Sequence, residues 1–162
     1  MNNRYIKPVH YSGDSASIPT LLLLFAAFTL TTSSIGASAD EMPNACPIDG
    51  CEVKIVGVNK AGDELELTYE ANFSADVSKN HIHAWWGEQY SVEQVSRNAE
   101  TVHGVTQGRW HRHDDYPAYV TTEAASTSVR DGATTICVSP ADRDHNILDV
   151  SIYHCVDVSG YF

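Results

Sequence analysis

Alternation of apolar and polar positions dominates the chain from residue 52 onwards. In 64–72 (ELELTYEAN), apolar residues alternate with charged or polar ones. A period of two with charge on one face is typical of a half-buried antiparallel strand. A segment rich in β-branched residues, 52–58, precedes it, and the Gly-containing stretch 59–63 between the two predicts a hairpin turn.

Further short strands are predicted along the rest of the chain. The segment 91–100 (SVEQVSRNAE) is either a short helix, because Ser91 and Gln94 have capping-box spacing, or a long polar loop. About seven short strands separated by turns favour an all-β fold, an immunoglobulin-like antiparallel β-sandwich with at most one short helix. The further strand candidates are 81–86, 110–113, 118–122, 134–139 and 148–158, the last two forming a hairpin.

The first 39 residues have the layout of a secretory signal peptide. Arg4 and Lys7 precede an apolar run at 21–30 (LLLLFAAFTL), and small residues follow up to Ala39. The apolar run is shorter than the roughly 20 residues that cross a bilayer, so we expect cleavage after Ala39 and not an uncleaved anchor. The predicted layout is a signal peptide at 1–39, an N-terminal disulfide loop at 40–51 and a β-sandwich domain at 52–162.

The chain has four cysteines, an even number that indicates disulfides in an exported protein. Four cysteines allow three pairings, and spacing favours one. Cys137 and Cys155 are equidistant from position 146, near the polar tip of the predicted hairpin, and opposed strand positions lie about 4.5–5.5 Å apart, within disulfide reach. We therefore expect Cys137–Cys155 and Cys46–Cys51, in a periplasmic or extracellular protein without a transmembrane anchor.

The chain is acidic, with 21 Asp and Glu residues against 10 Lys and Arg and a formal net charge of −11. Nucleic acids and anionic membrane surfaces are bound through Lys and Arg, so neither is an expected partner. The acidity itself favours solubility. A protein, a glycan or a metal ion remains as the candidate partner.

Histidines offer the clearest candidate chemistry. Two pairs are written H-x-H, His81-Ile-His83 and His111-Arg-His113. On a strand, residues i and i+2 point to the same face, so each pair offers two imidazoles, which bind Zn²⁺ and Cu²⁺ well. Together the pairs would give a four-nitrogen site, whereas three of these histidines and one carboxylate would leave an open coordination position. The nearby carboxylates are Glu88, Asp114 and Asp115.

Ordinary structural roles explain the same histidines equally well. His81 and His83 share their strand face with Trp85, where they would be packed or hydrogen-bonded, while residues 82, 84 and 86 face the core. The charged neighbours of the second pair suit a solvated turn. The remaining histidines after the signal peptide are isolated in sequence and are expected to be surface or core residues: His103, His145 and His154.

Residues 81–88 (HIHAWWGE) are similar to two known metal motifs. H-x-H followed by four residues and Glu88 resembles the first metal motif of cupins, in which the corresponding three residues are ligands. H-x-H before an aromatic residue and Gly-Glu is similar to the copper strand of Cu/Zn superoxide dismutases. The second cupin motif and the zinc loop of the dismutases have no counterpart in the sequence.

A wider resemblance covers most of the chain after the signal peptide. Residues 81–88, 132–137 (GATTIC) and 155–157 (CVD) are similar to small exported bacterial domains with an immunoglobulin-like sandwich. Those domains carry an H-x-H-aromatic strand and end in A-T-x-x-C, a hairpin and C-V-D. The resemblance implies the fold and no particular activity.

Three functions are compatible with the sequence. The first is a non-catalytic exported binding domain for an unknown partner, with aromatic residues such as Trp85, Trp86 and Trp110 as contacts. The second is a periplasmic or secreted copper- or zinc-binding protein that uses the H-x-H histidines. The third is a metalloenzyme of the cupin or superoxide-dismutase type. Because no Ser-His-Asp arrangement, phosphate loop or thiol nucleophile indicates other catalysis, binding is favoured over an enzyme.

Overall fold

A computed structural model of the protein describes residues 42–162. The predicted signal peptide and its cleavage site lie outside the described residues. Within residues 42–162, no helix has the length and apolar character that a bilayer crossing requires. The strands of this part are β1 Val53–Ala61, β2 Glu64–Ala71, β3 His81–Trp86, β4 His111–His113, β5 Ala118–Val120, β6 Thr135–Ala141 and β7 His154–Asp157.

The strands form two antiparallel sheets, as in a β-sandwich. One sheet has the order β1-β2-β5 and the other the order β4-β3-β6-β7. One hydrophobic core takes Leu65 and Leu67 from the first sheet and Ile82 and Trp86 from the second, all with 0% of their surface exposed. The predicted all-β fold of about seven strands is therefore confirmed.

The alternation predicted for β2 is present in the structure. Leu65, Leu67 and Tyr69 are buried, whereas Glu70 is exposed. The turn from β1 contains Gly62, whose φ of +67° lies in the left-handed region that glycine adopts without steric cost. Because this turn is so tight, β1 continues to Ala61 instead of ending at residue 58.

A second hydrophobic layer covers the outer face of the four-stranded sheet. Trp85 packs there with Val92 and Val95 from the connection between β3 and β4, and with Ile147 from the connection between β6 and β7. Every residue of β3 is buried as a result. The outer-face side chains of β3 therefore lie beneath a cover of loop residues and not at the solvent surface.

The segment 91–100 is built mostly from turns. Its capping hydrogen bond is present, since the backbone N–H of Ser91 donates to Oε1 of Gln94 over 3.0 Å. A helix does not continue, because the carbonyl oxygen of Gln94 accepts from Gly108 N–H (2.8 Å) and that of Val95 lies 2.8 Å from Nδ1 of His83. Helical geometry is confined to a π-helical turn at Ala99–His103 and, later in the described chain, to 3₁₀ turns at Glu123–Ala125, Thr127–Val129 and Ser159–Tyr161.

Both expected disulfides are present, Cys46–Cys51 and Cys137–Cys155. Cys137 lies directly opposite Cys155 in the β6–β7 pairing. The last strand is shorter than predicted and begins at residue 154, not 148. Asp149 forms a turn instead, because its Oδ1 accepts hydrogen bonds from the N–H and hydroxyl groups of Ser151. The connection from β6 to β7 is consequently a long loop, and it carries His145.

Candidate metal centre

Three histidines meet beneath the outer layer of the four-stranded sheet. Nε2 of His81 lies 3.2 Å from Nε2 of His83 and 3.0 Å from Nδ1 of His145. One ring nitrogen from each of the three residues lies within 4.8 Å of the other two. His81 and His83 are fully buried, whereas His145 is partly exposed. The cluster therefore sits at the edge of the covered layer, with one member reachable from solvent.

The backbone orients the two strand histidines. Nδ1 of His81 is 3.1 Å from the carbonyl oxygen of Lys79, and Nδ1 of His83 is 2.8 Å from that of Val95. Because a carbonyl oxygen can only accept, each Nδ1 carries the hydrogen, and each Nε2 of the neutral ring presents a lone pair. Metal-binding histidines are held in this way, with the second ring nitrogen donating to a carbonyl or carboxylate.

Two of the three nitrogen spacings match that of a tetrahedral metal site, and the third, between His83 and His145, is within 4.8 Å. Two nitrogen ligands, each about 2.0–2.1 Å from a tetrahedral Zn²⁺ ion, lie about 3.3 Å apart. The separations of 3.2 Å between His81 and His83 and 3.0 Å between His81 and His145 are close to that value. Three histidines around one ion would leave a fourth coordination position open.

Hydrogen bonds fix the loop tip that presents His145. Oδ1 of Asp142 accepts from the backbone N–H groups of Asp144 (2.8 Å) and Asn146 (2.9 Å). The N–H of Arg97 donates to the carbonyl oxygen of His145 over 2.9 Å. The φ of His145 is +66°, a left-handed value uncommon for residues other than glycine. These contacts keep the imidazole directed at the two strand histidines.

Arg112 and Trp110 complete the surroundings. The Trp110 ring stacks on His83 with 5.0 Å between centroids. Arg112 lies opposite His83 in the β3–β4 register, and its Nη1 is 2.6 Å from Nε2 of His145. A guanidinium group only donates, so Nε2 of His145 accepts from it and Nδ1 donates its hydrogen to Nε2 of His81.

The surroundings favour the neutral form of these rings. Desolvation lowers the pKa of His81 and lowers the pKa of His83 well below its usual value. Desolvation and then the positive charges of Arg112 and Arg97 lower the pKa of His145. Neutral imidazole is the form that binds a metal ion, so no proton has to be removed from a charged ring before coordination.

The second H-x-H pair lies on the opposite face of the same sheet. His113 is paired with Ile82 and His111 with Ala84, and residues directly opposite in a register share a face. That face is the inner one, where Ile82 and Ala84 form the core. The structure therefore does not bring the two H-x-H pairs together, and the four-nitrogen site considered from the sequence does not form.

His113 is a core residue in this structure. Its ring stacks on Tyr119 with 3.8 Å between centroids, and its Nε2 is 3.4 Å from the hydroxyl of Tyr69. Burial, with smaller contributions from the charges of neighbouring histidines, lowers the pKa of His113 to about 3. His113 is therefore neutral throughout the physiological range and serves as an aromatic packing unit between the sheets.

The candidate carboxylates lie outside the histidine cluster. Glu88 accepts hydrogen bonds from the N–H and hydroxyl groups of Thr134 and Thr135 at 2.8–3.0 Å. Desolvation acts to raise the pKa of Glu88, but these hydrogen bonds outweigh it and lower the pKa to about 2. Glu88 thus fixes the start of β6. Asp114 accepts from Val77 N–H over 3.3 Å, and Asp115 is exposed.

His145 is the cluster member that the sequence pattern does not reveal. It has no H-x-H partner, and its position in a hairpin tip between two cysteines is the one local signal. The β3–β6 register sets His81 opposite Ala141, and the bridge between Ala141 and Ile147 folds the tip back beside β3. Finding His145 therefore requires knowing that β6 pairs with β3.

The cluster is chemically suited to borderline divalent ions, because it offers imidazole nitrogens and neither a thiolate nor a carboxylate. Imidazole ligands suit Zn²⁺ and Cu²⁺, while Ca²⁺ and Mg²⁺ require oxygen ligands.

Comparison with known proteins gave no match: no protein-family model matches the chain, and no curated protein or solved structure is significantly similar to it.

Proposed function

We propose that the protein binds one Zn²⁺ or Cu²⁺ ion through His81, His83 and His145. One observation carries the proposal: the buried Nε2 atoms of His81 and His83 lie 3.2 Å apart while both Nδ1 hydrogens are directed at backbone carbonyls. The lone pair on Nε2 of His81 accepts from Nδ1 of His145, so the buried lone pair on Nε2 of His83 has no donor among the described residues. A cation bound between the rings would take up both Nε2 lone pairs.

The ligand set argues against the cupin type of metalloenzyme considered from the sequence. A cupin-like centre would use Glu88, but hydrogen bonds from Thr134 and Thr135 occupy that carboxylate. Among divalent first-row ions, Cu²⁺ generally binds a given nitrogen site most tightly, while a tetrahedral arrangement suits Zn²⁺. The supply of each ion in the protein's compartment therefore decides which one is held.

The compartment is part of the same proposal. Two disulfides among the described residues support an oxidising environment, since thiols are kept reduced in the cytosol. We place the protein in the periplasm or outside the cell. The immunoglobulin-like topology and the bacterial origin stay predictions of the sequence.

Metal content and affinity test the proposal directly. The purified protein is stripped with chelator, loaded with Zn²⁺ or with Cu²⁺, desalted and analysed for metal per chain. We expect one ion per chain. His145→Gln should reduce affinity by at least tenfold, while His103→Gln, a histidine outside the cluster, should leave it unchanged. His145 is a suitable site for the test because it is partly exposed, so its substitution does not empty the core.

Two results would contradict the metal site. The first is less than a tenth of an ion per chain after loading with either metal. The second is equal affinity in the His145→Gln and His103→Gln proteins, which would place any bound ion elsewhere. Circular dichroism of each variant confirms that the fold is retained.

A general partner-binding role stays a prediction of the sequence. One surface suited to it is a groove of about 490 Å³ beside the Cys137–Cys155 disulfide, with Trp85 at its base and Tyr153 at its rim. Pockets of this size accommodate small organic ligands. Substitution of the exposed Tyr153 by Ala tests the groove without disturbing the histidine cluster.

A further inference from the structure

We infer that the metal centre, once loaded, binds a small oxyanion between the ion's open coordination position and the guanidinium group of Arg112. The inference deepens the proposed function and depends on it. The anions concerned share one chemistry, two or more oxygen atoms on a compact centre, as in carboxylate, bicarbonate or inorganic phosphate. One oxygen would bind the ion and another would accept from Arg112.

The positive charge of the metal-loaded cluster favours the binding of an anion. All three proposed ligands are neutral imidazoles, so a divalent ion keeps its full charge of about +2. Arg112 adds another positive charge next to His145. Within residues 42–162, Arg112 forms no ion pair with an acidic side chain. Asp142 and Asp144 offset part of the positive charge at His145, and a bound oxyanion would offset more of it.

Arg112 has a contact that metal binding would break. Its Nη1 donates to Nε2 of His145 over 2.6 Å, which requires the hydrogen of that ring to be on Nδ1. Nδ1 is the atom that faces Nε2 of His81, so coordination through Nδ1 requires the hydrogen to be on Nε2 instead. Two donors would then face each other, and the guanidinium group would have to leave His145.

The released guanidinium group stays beside the centre. Arg112 is directly opposite His83 in the β3–β4 register and shares its face of the sheet. Its side chain is exposed, so it is free to turn without disturbing the core. Guanidinium has five N–H donors in one plane, so Arg112 can donate to an oxygen of the anion that the ion does not bind.

The two carboxylates near the cluster form contacts with other residues. Asp142 is close enough to influence His81 and His145, but both of its carboxylate oxygens accept hydrogen bonds within the loop tip. Asp144 is exposed and lies beside Arg143, with 3.7 Å between nitrogen and oxygen. Neither carboxylate belongs to the group of ligand atoms formed by His81, His83 and His145, so the open coordination position is left for an external oxyanion.

Cobalt-loaded protein provides the test. Co²⁺ replaces Zn²⁺ in such sites, and its visible absorption changes when an anion displaces water. Formate, bicarbonate and inorganic phosphate are titrated separately into the cobalt-loaded wild type, Arg112→Gln and Arg97→Gln proteins, with bound cobalt measured in each. Arg97 is the matched control, because its positive charge also acts on His145.

We expect saturable spectral changes in the wild type with at least one of the three anions. Arg112→Gln should weaken anion binding by at least tenfold while retaining one cobalt per chain, and Arg97→Gln should change it by less than about twofold. Equal anion affinity in the wild type and Arg112→Gln, or no spectral response to any of the anions, would overturn the anion site alone. Absence of bound cobalt from the wild type would overturn the metal centre as well.

Discussion

His83 and His113 lie on opposite faces of one sheet, on neighbouring strands. The register pairs His113 with Ile82, so His113 faces the core between the sheets while His83 faces the outer layer. The same residue type thus has two separate roles. On the outer face it is a proposed ligand, and on the inner face it is an uncharged aromatic packing residue.

Acid should destabilise the fold through His113. Its pKa is about 3 in the folded protein, against 6.5 for an unperturbed histidine. Between these values the unfolded chain binds a proton that the folded chain does not, so this contribution to stability is present above about pH 6.5 and is lost as the pH falls. The free energy of unfolding should fall by at most about 1.4 kcal/mol per pH unit from this residue.

Denaturant unfolding of the metal-free protein at about pH 7.5 and about pH 5 measures this loss. His113→Phe keeps the stacked ring and cannot take up a proton, so its stability should depend less on pH. His103→Gln is the control and should retain the wild-type dependence. An identical pH dependence in the wild type and His113→Phe would show that His113 is not responsible.

Metal loading should raise the thermal stability of the protein. An ion that binds the folded state and not the unfolded state, at about 100 times its dissociation constant, adds about 2.7 kcal/mol. Differential scanning calorimetry with Zn²⁺ and with excess chelator should show the difference. His83→Phe fills the buried site without a ligand nitrogen and should abolish the shift. An equal shift in this variant would mean that zinc acts at another place.

The Cys137–Cys155 disulfide should support both stability and metal affinity. Its removal by a double substitution to Ala should cost about 3 kcal/mol, and removal of Cys46–Cys51, which closes a shorter loop, about 2 kcal/mol. Cys137–Cys155 closes the loop that carries His145, so its loss should also weaken zinc binding. Loss of Cys46–Cys51 should leave zinc binding unchanged. Isothermal titration of both double variants measures this, and equal zinc affinities would refute the link.

Glu64 should contribute more to the free energy of unfolding than Glu66, which lies two positions later on the same strand. Its carboxylate accepts from the hydroxyl groups of Thr121 and Ser126 and from the N–H of Thr127. Burial acts to raise the pKa of Glu64, but these hydrogen bonds outweigh it and lower the pKa. Glu64→Gln should cost about 1–2 kcal/mol, measured by urea unfolding. Glu66→Gln is the matched control, and an equal cost in both would contradict this role.

Local pattern was sufficient for the number of strands and for the disulfides, although not for the start of β7. The alternation of β2 reflects which of its residues contact the core, and this pattern is visible in consecutive residues of the sequence. The pairing of Cys137 with Cys155 follows from symmetry about one hairpin. Both features need information from a single short stretch, which explains why they could be predicted.

The composition of the histidine cluster could not be predicted in the same way. Whether two H-x-H strands join their imidazoles depends on their register, because a shift of one residue exchanges the faces. His145 lies 64 residues from His81 in sequence and reaches the cluster through the pairing of β6 with β3. The loop conformation of 91–100 likewise depends on distant partners, since Gly108 and His83 take the carbonyl groups that a helix would need.

Both faces of β3 are buried, one by the core between the sheets and the other by the outer layer, and this has a consequence for folding. A slip of β3 by one position would exchange Ile82, Ala84 and Trp86 with His81, His83 and Trp85, so two unpartnered imidazoles would enter the apolar interior. Burial of these unpaired imidazoles, which belong to the proposed ligand set, would raise the free energy of a misaligned chain. The alignment of the central strand and the proposed metal binding thus depend on the same residues.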